Sequence, residues 1–338
     1  MIGHPLPENL GLDASWLAQA IDPRSRLIRF VRMDEAAYRA ASFLDDRMLM
    51  PDLDLRICSL DEAISAAALL PRDDARWIFH IGHVGSTLIA RLLGELDGVL
   101  SIREPRSLRD LSAVKPEGRA DLASALTRLM SRTLAPQQAA LIKATSFVSE
   151  MAPLLVAPGA TALFLFATPA NYIASILAGE NSIKELQALH AIRGERLRSR
   201  GIRLEGFDRS DAHRAALAWA CEMTSLESAA VAMTDRRILW ADFDRMLDDM
   251  VGWIGRCATE FGFVATHARI EEIVAGPLMR RYSKALEYDY SPSLRAELLA
   301  EATRLHKPEI DAAIAELSDA AETAPLLARA LGRVELES

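Results

Sequence analysis

The residues of this chain best suited to chemistry form the turn Gly82-His83-Val84-Gly85-Ser86-Thr87. It follows the apolar run Trp77-Ile78-Phe79-His80-Ile81 and opens the helical pattern Leu88-Ile89-Ala90-Arg91. Glycines let a backbone approach an anion closely, and the first amides of a helix point free N–H groups at it. The hydroxyls of Ser86 and Thr87 add donors, so the pattern reads as an anion site. A triphosphate-binding loop also carries a lysine between its last glycine and the Ser/Thr, to reach the outer phosphates. Here Ser86 follows Gly85 directly. The turn therefore suits a phosphate but lacks the usual means of splitting a triphosphate. Its bland alternative is an ordinary strand-to-helix turn with no ligand.

Three further segments carry candidate chemistry. Arg103-Glu104-Pro105-Arg106 closes the next apolar run, and a strand-end carboxylate beside a phosphate turn is well placed as a general base. The same glutamate is otherwise an ion-paired or helix-capping residue. Ala167-Thr168-Pro169-Ala170 ends a later run, with Pro at a helix first turn. Ser175 follows about two turns on, facing a ligand or simply the helix surface. Arg280, Arg281 and Lys284 put three cations within five residues, suited to a second phosphate or to a solvated basic turn. His80 reads either as a core histidine bonded to backbone or as a pocket residue. His190 and His213, in charged helices, read as solvated, and Trp219 as core.

These segments need strand ends and helix starts to position them. From about residue 73 the sequence alternates strand with helix. Strands are expected at Arg76 to Ile81, Val99 to Arg103, Ala140 to Lys143, Thr161 to Ala167 and Arg237 to Ala241. Helices are expected at Ser86 to Leu96, Ala120 to Leu134, Ala170 to Leu177, Ile183 to Arg198 and Ala212 to Met233. Such alternation implies a parallel sheet covered on both faces, with ligands at the carboxyl ends of its strands. Residues 1–72 read as a mixed N-terminal segment without chemistry, with a strand at Leu27 to Val31 and helices at Glu35 to Ala41 and Leu60 to Leu70. The chain after Asp242 reads as mostly helical, at Phe243 to Phe263, His267 to Ala275, Leu294 to Leu305 and, with breaks, Ile310 to Leu331. The expected organisation is 1–72, 73–290 and a helical extension 291–338.

The chain has 338 residues, half of them hydrophobic and 25% charged, as an ordinary globular protein has. A net charge of −8 argues against a general nucleic-acid binder. The three cysteines, Cys58, Cys221 and Cys257, have no paired spacing, so a reducing compartment is expected, with neither a disulfide framework nor a zinc site. The segment from Met151 to Gly179 has no charged residue, but Pro153, Pro158, Gly159 and Pro169 divide it into pieces too short to span a membrane. The N-terminal stretch lacks an apolar signal core, and a cytoplasmic location is expected.

In order and spacing, the four segments resemble the sulfotransferase superfamily. Its members transfer a sulfuryl group from 3′-phosphoadenosine 5′-phosphosulfate (PAPS) to a hydroxyl or amine. The family's first motif runs from a strand through Gly or Pro and a Lys or Arg to Ser-Gly-Thr-Thr or Gly-Ser-Thr and then Leu, and is matched by Gly82 to Leu88. Glu104 stands where several bacterial and carbohydrate members keep their base. Lys143-Ala144-Thr145 is similar to the family's Lys-Thr-Pro strand end. Ala167 through Ser175 is similar to its Arg-Asp-Pro-Arg-Asp-x-x-x-Ser segment, with Pro169 and Ser175 matching. Trp240-Ala241-Asp242-Phe243 is similar to its Tyr-Glu-Asp-Leu strand end. The resemblance covers roughly residues 75 to 290.

The resemblance implies an α/β, P-loop-like three-layer fold with a central parallel sheet of about five strands, an N-terminal α/β segment and C-terminal helices. It implies that Gly82, His83, Val84, Gly85, Ser86 and Thr87 hold the phosphosulfate of PAPS, with Ser175, Arg280, Arg281 and Lys284 on the 3′-phosphate. It further implies His83 and Glu104 as catalytic residues, a small-molecule or carbohydrate acceptor, and no metal. Two departures stand out. His83 occupies the place of the loop's catalytic cation, and Ala167 that of the arginine holding the 3′-phosphate, with Ala170 replacing a second one. The loop and sheet are also compatible with a P-loop kinase or related phosphotransferase. Ala167 is compatible with a non-catalytic nucleotide-binding protein that has lost the 3′-phosphate arginine.

Overall fold

Five apolar runs, hydrophobic on both faces of the strand, form the parallel sheet at the centre of the molecule. The computed structural model describes residues 4–281 and 291–336. In chain order the strands are β1 (Trp16–Asp22), β2 (Leu27–Arg32), β3 (Leu55–Ser59), β4 (Arg76–His80), β5 (Val99–Arg103), β6 (Ala139–Lys143), β7 (Thr161–Phe166) and β8 (Arg237–Asp242). The helices are α1 (Glu35–Ala40), α2 (Leu60–Ala68), α3 (Ser86–Gly94), α4 (Arg106–Ser112), α5 (Pro116–Ser131), α6 (Ala152–Leu155), α7 (Pro169–Leu177), α8 (Glu180–Ser199), α9 (Asp211–Ala232), α10 (Phe243–Asp248), α11 (Met250–Phe261), α12 (His267–Ala275), α13 (Pro292–Ala321) and α14 (Pro325–Leu336).

The parallel sheet has the order β5-β6-β4-β7-β8. From β4 the chain runs out to edge strand β5, returns to β6 beside β4, and then crosses to β7 on the other side. The strand order therefore switches at β4, where open α/β sheets leave a crevice at their carboxyl ends. Cross-strand register places Phe79 beside Phe164 and Phe164 beside Trp240. Their rings meet edge to face at 5.7 and 5.1 Å. Such aromatic pairs contribute about 0.5–1.5 kcal/mol each beyond burial. They also help fix the register that aligns the strand ends.

The N-terminal segment forms an antiparallel sheet, β1-β2-β3, and its buried side chains join the same hydrophobic cluster as the parallel sheet. Strand β1 was not expected from the sequence, because Leu17-Ala18-Gln19-Ala20 is rich in weak strand formers. Pairing with β2 and packing against α4 and α5 override that preference. The buried Gln19 donates to Leu44 O at 3.3 Å and accepts from Arg29 Nε at 2.8 Å. Helix α4 was also unexpected; its N-cap is Pro105, and no side chain caps it.

At the C-terminus, the helix expected at Leu294 to Leu305 and the first part of the one expected from Ile310 are joined into α13 across a kink at His306, beside Pro308, and the remainder falls in α14. Proline removes one helix hydrogen bond and crowds the preceding turn. No described helix is long and apolar enough to cross a membrane.

Candidate functional site

Strand β4 ends in His80, which is 4% exposed. Its Nδ1 accepts from the Gly82 N–H at 3.0 Å, and its Nε2 lies 3.0 Å from Ala144 O. One ring nitrogen accepts and the other donates, so the imidazole is the neutral Nε2–H tautomer. His80 thus resolves as a buried histidine that also lines the cavity, and it ties the loop to the end of β6.

Beyond it the backbone is left-handed at Gly82 (φ 83°), His83 (φ 55°) and Gly85 (φ 59°). This conformation costs a non-glycine residue such as His83 about 1–2 kcal/mol. At Gly85 a Cβ would come within 2.0 Å of the Phe243 ring, so only glycine fits. Gly85 is the N-cap of α3, and no side chain caps the helix. Ser86 and Thr87 are buried, and Thr87 Oγ1 has no hydrogen-bond partner. An uncapped helix start with an unspent buried hydroxyl is suited to an anion.

Glu104 follows β5 and is also left-handed, with φ 51°. Its N–H donates to Lys143 O at 2.8 Å. Its carboxylate is ion-paired with the Lys143 ammonium and lies 3.9 Å from His80 Nε2. The Lys143 side chain is only 1% exposed, so the carboxylate is held by a cation that water barely reaches. The cost of a strained backbone and a buried ion pair at one place is typical of functional sites.

The N-terminal segment closes one side. The Arg103 guanidinium donates to the carbonyls of Tyr38, Arg39 and Ala41, while Arg91 donates to those of Arg39 and Ala40. Two cations therefore satisfy the carboxyl end of α1 and direct the following residues over the strand ends. Phe43 lies under the Arg47 guanidinium at 3.6 Å, and Lys143 Nζ is 5.8 Å from the same ring. Arg47 also pairs with Asp45 at 2.6 Å.

From α7 and α8 come Tyr172 and Arg193. The Tyr172 ring meets that of His83 edge to face at 6.3 Å, and burial pushes its phenol pKa well above the usual value. Together these elements enclose a cavity of about 720 Å³.

Gly82, His83, Val84, Gly85, Ser86 and Glu104 line this cavity together, and Thr87 sits buried beside them. Ser175 is not in the lining: its hydroxyl donates to Tyr172 O at 2.8 Å, back along its own helix. Arg280 and Arg281 line a separate depression of about 400 Å³ with Ala275, Gly276 and Pro277. Lys284 lies outside the described residues. Ala167 is fully buried, and its carbonyl accepts from Trp219 Nε1 at 2.9 Å, with Trp219 itself in the core. His213, expected to be solvated, is 4% exposed, with Ser210 Oγ at 2.7 Å from Nδ1 and Arg209 Nη2 at 2.7 Å from Nε2.

Sequence reasoning did not place Phe43, Arg47, Lys143, Tyr172 or Arg193 in a site. A signal existed for Lys143, since a lysine closing an otherwise apolar buried strand must find a counter-charge. The others arrive by long-range packing.

The chain is similar in fold to the sulfotransferase domain from the curacin biosynthetic pathway, at 13% identity and a TM-score of 0.42, covering 72% of this chain and 97% of that one. It is similar likewise to the sulfotransferase domain from the Synechococcus PCC 7002 olefin synthase, at 14% identity and a TM-score of 0.40, covering 66% and 86%. No protein-family model matches the chain, and no curated protein matches its sequence.

Proposed function

We propose that this chain is a sulfotransferase-like enzyme that transfers a sulfuryl group from PAPS to a hydroxyl or amine of a small acceptor. One observation carries the reading: an uncapped helix start lies in the same cavity as a strained, lysine-paired glutamate. The sulfotransferase-like motifs around both add to it.

The loop fits the 5′ end of such a donor. The amides of residues 82–87 would hold the phosphosulfate, and the unpartnered Thr87 hydroxyl would gain the acceptor oxygen it lacks. When bound, PAPS supplies the activated sulfuryl group. Glu104 takes the proton of the acceptor hydroxyl, and Lys143 fixes the carboxylate in place. His83 donates toward the leaving oxygen. The chain's contribution is position and fixed dipoles.

The β7–α7 junction does not fit the 3′ end. Ala167 brings no charge, and the Ser175 hydroxyl is already spent on Tyr172 O. This favours a second reading, a donor nucleotide without a 3′-phosphate.

Calorimetric titration with 3′,5′-adenosine bisphosphate, set against adenosine 5′-monophosphate and ATP, separates the two. Micromolar binding selective for the bisphosphate supports PAPS. Equal binding of the monophosphate supports the second reading, and no binding of any nucleotide by folded protein removes both.

A further inference from the structure

Arg193 is 4% exposed and lines the cavity from α8. Its Nε is buried and hydrogen-bonds nothing. Its charge partners are Glu222 Oε1 at 3.5 Å and Glu185 Oε1 at 3.8 Å. Glu222 is fully buried, and neither of its carboxylate oxygens has a hydrogen-bond partner.

Two other buried arginines of this chain behave differently. Arg132 donates to the carbonyls of Leu10, Asp13, Trp16 and Leu129 at 2.6 to 2.8 Å. Arg103 is saturated in the same way. On the same face of α8, Arg196 has Glu150 at 2.8 Å and Phe147 O at 3.0 Å, with its Nη1 left buried and unpartnered. A guanidinium withdrawn from water with its donors unspent is costly unless something fills them. Here Nε is turned to Glu222, and the remaining guanidinium donors, which make no hydrogen bond, belong to a side chain that lines the cavity.

We propose that Arg193 receives a carboxylate of the acceptor, so that the acceptor is a hydroxylated or aminated carboxylic acid. Its carboxylate would sit on Arg193, and its nucleophilic group would face Glu104 in the same cavity. This rests on the proposed function only for the role of Glu104, because the carboxylate site itself needs no donor. A planar fork of N–H groups matches a carboxylate bidentately. Glu222 and Glu185, beside the guanidinium, would repel a dianionic phosphate ester more than a singly charged carboxylate. Of the other lining cations, Arg47 is matched by Asp45, Arg106 by Asp46 and Asp110, and Lys143 by Glu104, while Arg109 is exposed to water.

The test is calorimetric binding, without donor, of 3-hydroxybutyrate and 4-hydroxyphenylacetate, each against its own amide, with 4-hydroxyphenyl phosphate as a third probe. The expected result is at least tenfold preference for one acid over its amide and over the phosphate ester. Arg193→Gln strands Glu222, so Arg193→Gln/Glu222→Gln is the folded comparison, checked by its melting temperature. It should lose the preference, while Glu222→Gln alone should bind the acid at least as tightly as the parent. A merely structural Arg193–Glu222 pair would leave acid binding unmoved by either change. Absence of preference in every pair overturns the proposal, as does a preference that survives in the double variant. Parallel titration with 3′,5′-adenosine bisphosphate keeps the two proposals apart. Its failure with acid binding intact counts against the donor alone.

Discussion

Two strand-to-helix junctions open on the same edge of the sheet, and they are built to opposite ends. At β4–α3 the backbone is left-handed at three positions, the N-cap is a glycine without a side chain to offer, and Thr87 Oγ1 is unpartnered. At β7–α7 the N-cap is Thr168, whose Oγ1 accepts from the Asn171 N–H at 3.2 Å, and Pro169 removes another donor from the first turn. Trp219 takes the Ala167 carbonyl, and Asn171 Nδ2 donates to Asp244, which is paired with Arg295 at 2.8 Å. The second junction spends its polar groups on the fold, while the first withholds them. A helix start keeps donors free for a ligand when its sequence does not cap it, and the dipole alone does not separate the two.

The largest effect that tests this contrast is at Glu104. Glu104→Gln keeps the shape of the residue but removes the base, so turnover should fall by roughly 10² to 10⁴-fold. Nucleotide binding at the loop should stay within a few-fold of the parent. Steady-state kinetics with calorimetry reads both. Full turnover in that variant would remove Glu104 from the reaction.

Next in size is Gly85→Ala. The added Cβ meets the Phe243 ring at 2.0 Å on a backbone of φ 59°. Overpacking of this kind costs about 1–3 kcal/mol, and the left-handed conformation about 1–2 more. Thermal unfolding should show a loss of several degrees, accompanied by weakened binding at the loop. A variant as stable as the parent would mean that the turn relaxes easily, and the close approach argued here would fail.

Much of this contrast was legible in the sequence. The loop, Glu104 and all five parallel strands were read within a residue or so of their bounds, β5 on the same residues, because strands buried on both faces are continuous apolar runs between polar breaks. Ala167 was visible as a missing charge. The remainder depends on contacts that no local pattern carries. Glu104 and Lys143 are 39 residues apart, and they meet because β5 pairs with β6 in a register that sets Arg103 beside Lys143. Phe43 and Arg47 reach the cavity because Arg91 and Arg103 hold the end of α1. Arg193 and His213 lie in helices whose charged composition hid which side chains face inward.

The smallest effects give the sharpest comparison, since they should have opposite signs. Thr168→Ala removes a satisfied cap and should cost about 1 kcal/mol of stability. Nucleotide binding should not change, because that hydroxyl serves only the Asn171 amide. Thr87→Val removes a buried hydroxyl that has no partner. An unsatisfied buried polar group costs about 1–3 kcal/mol, so the unliganded protein should become more stable. The same change should weaken nucleotide binding about threefold to tenfold, the worth of a single hydrogen bond of about 0.5–1.5 kcal/mol. Chemical denaturation and calorimetry on the two variants measure all four quantities. If Thr87→Val destabilised the protein and left binding alone, as a cap loss does, the two junctions would be of one kind and the distinction drawn between them would fall.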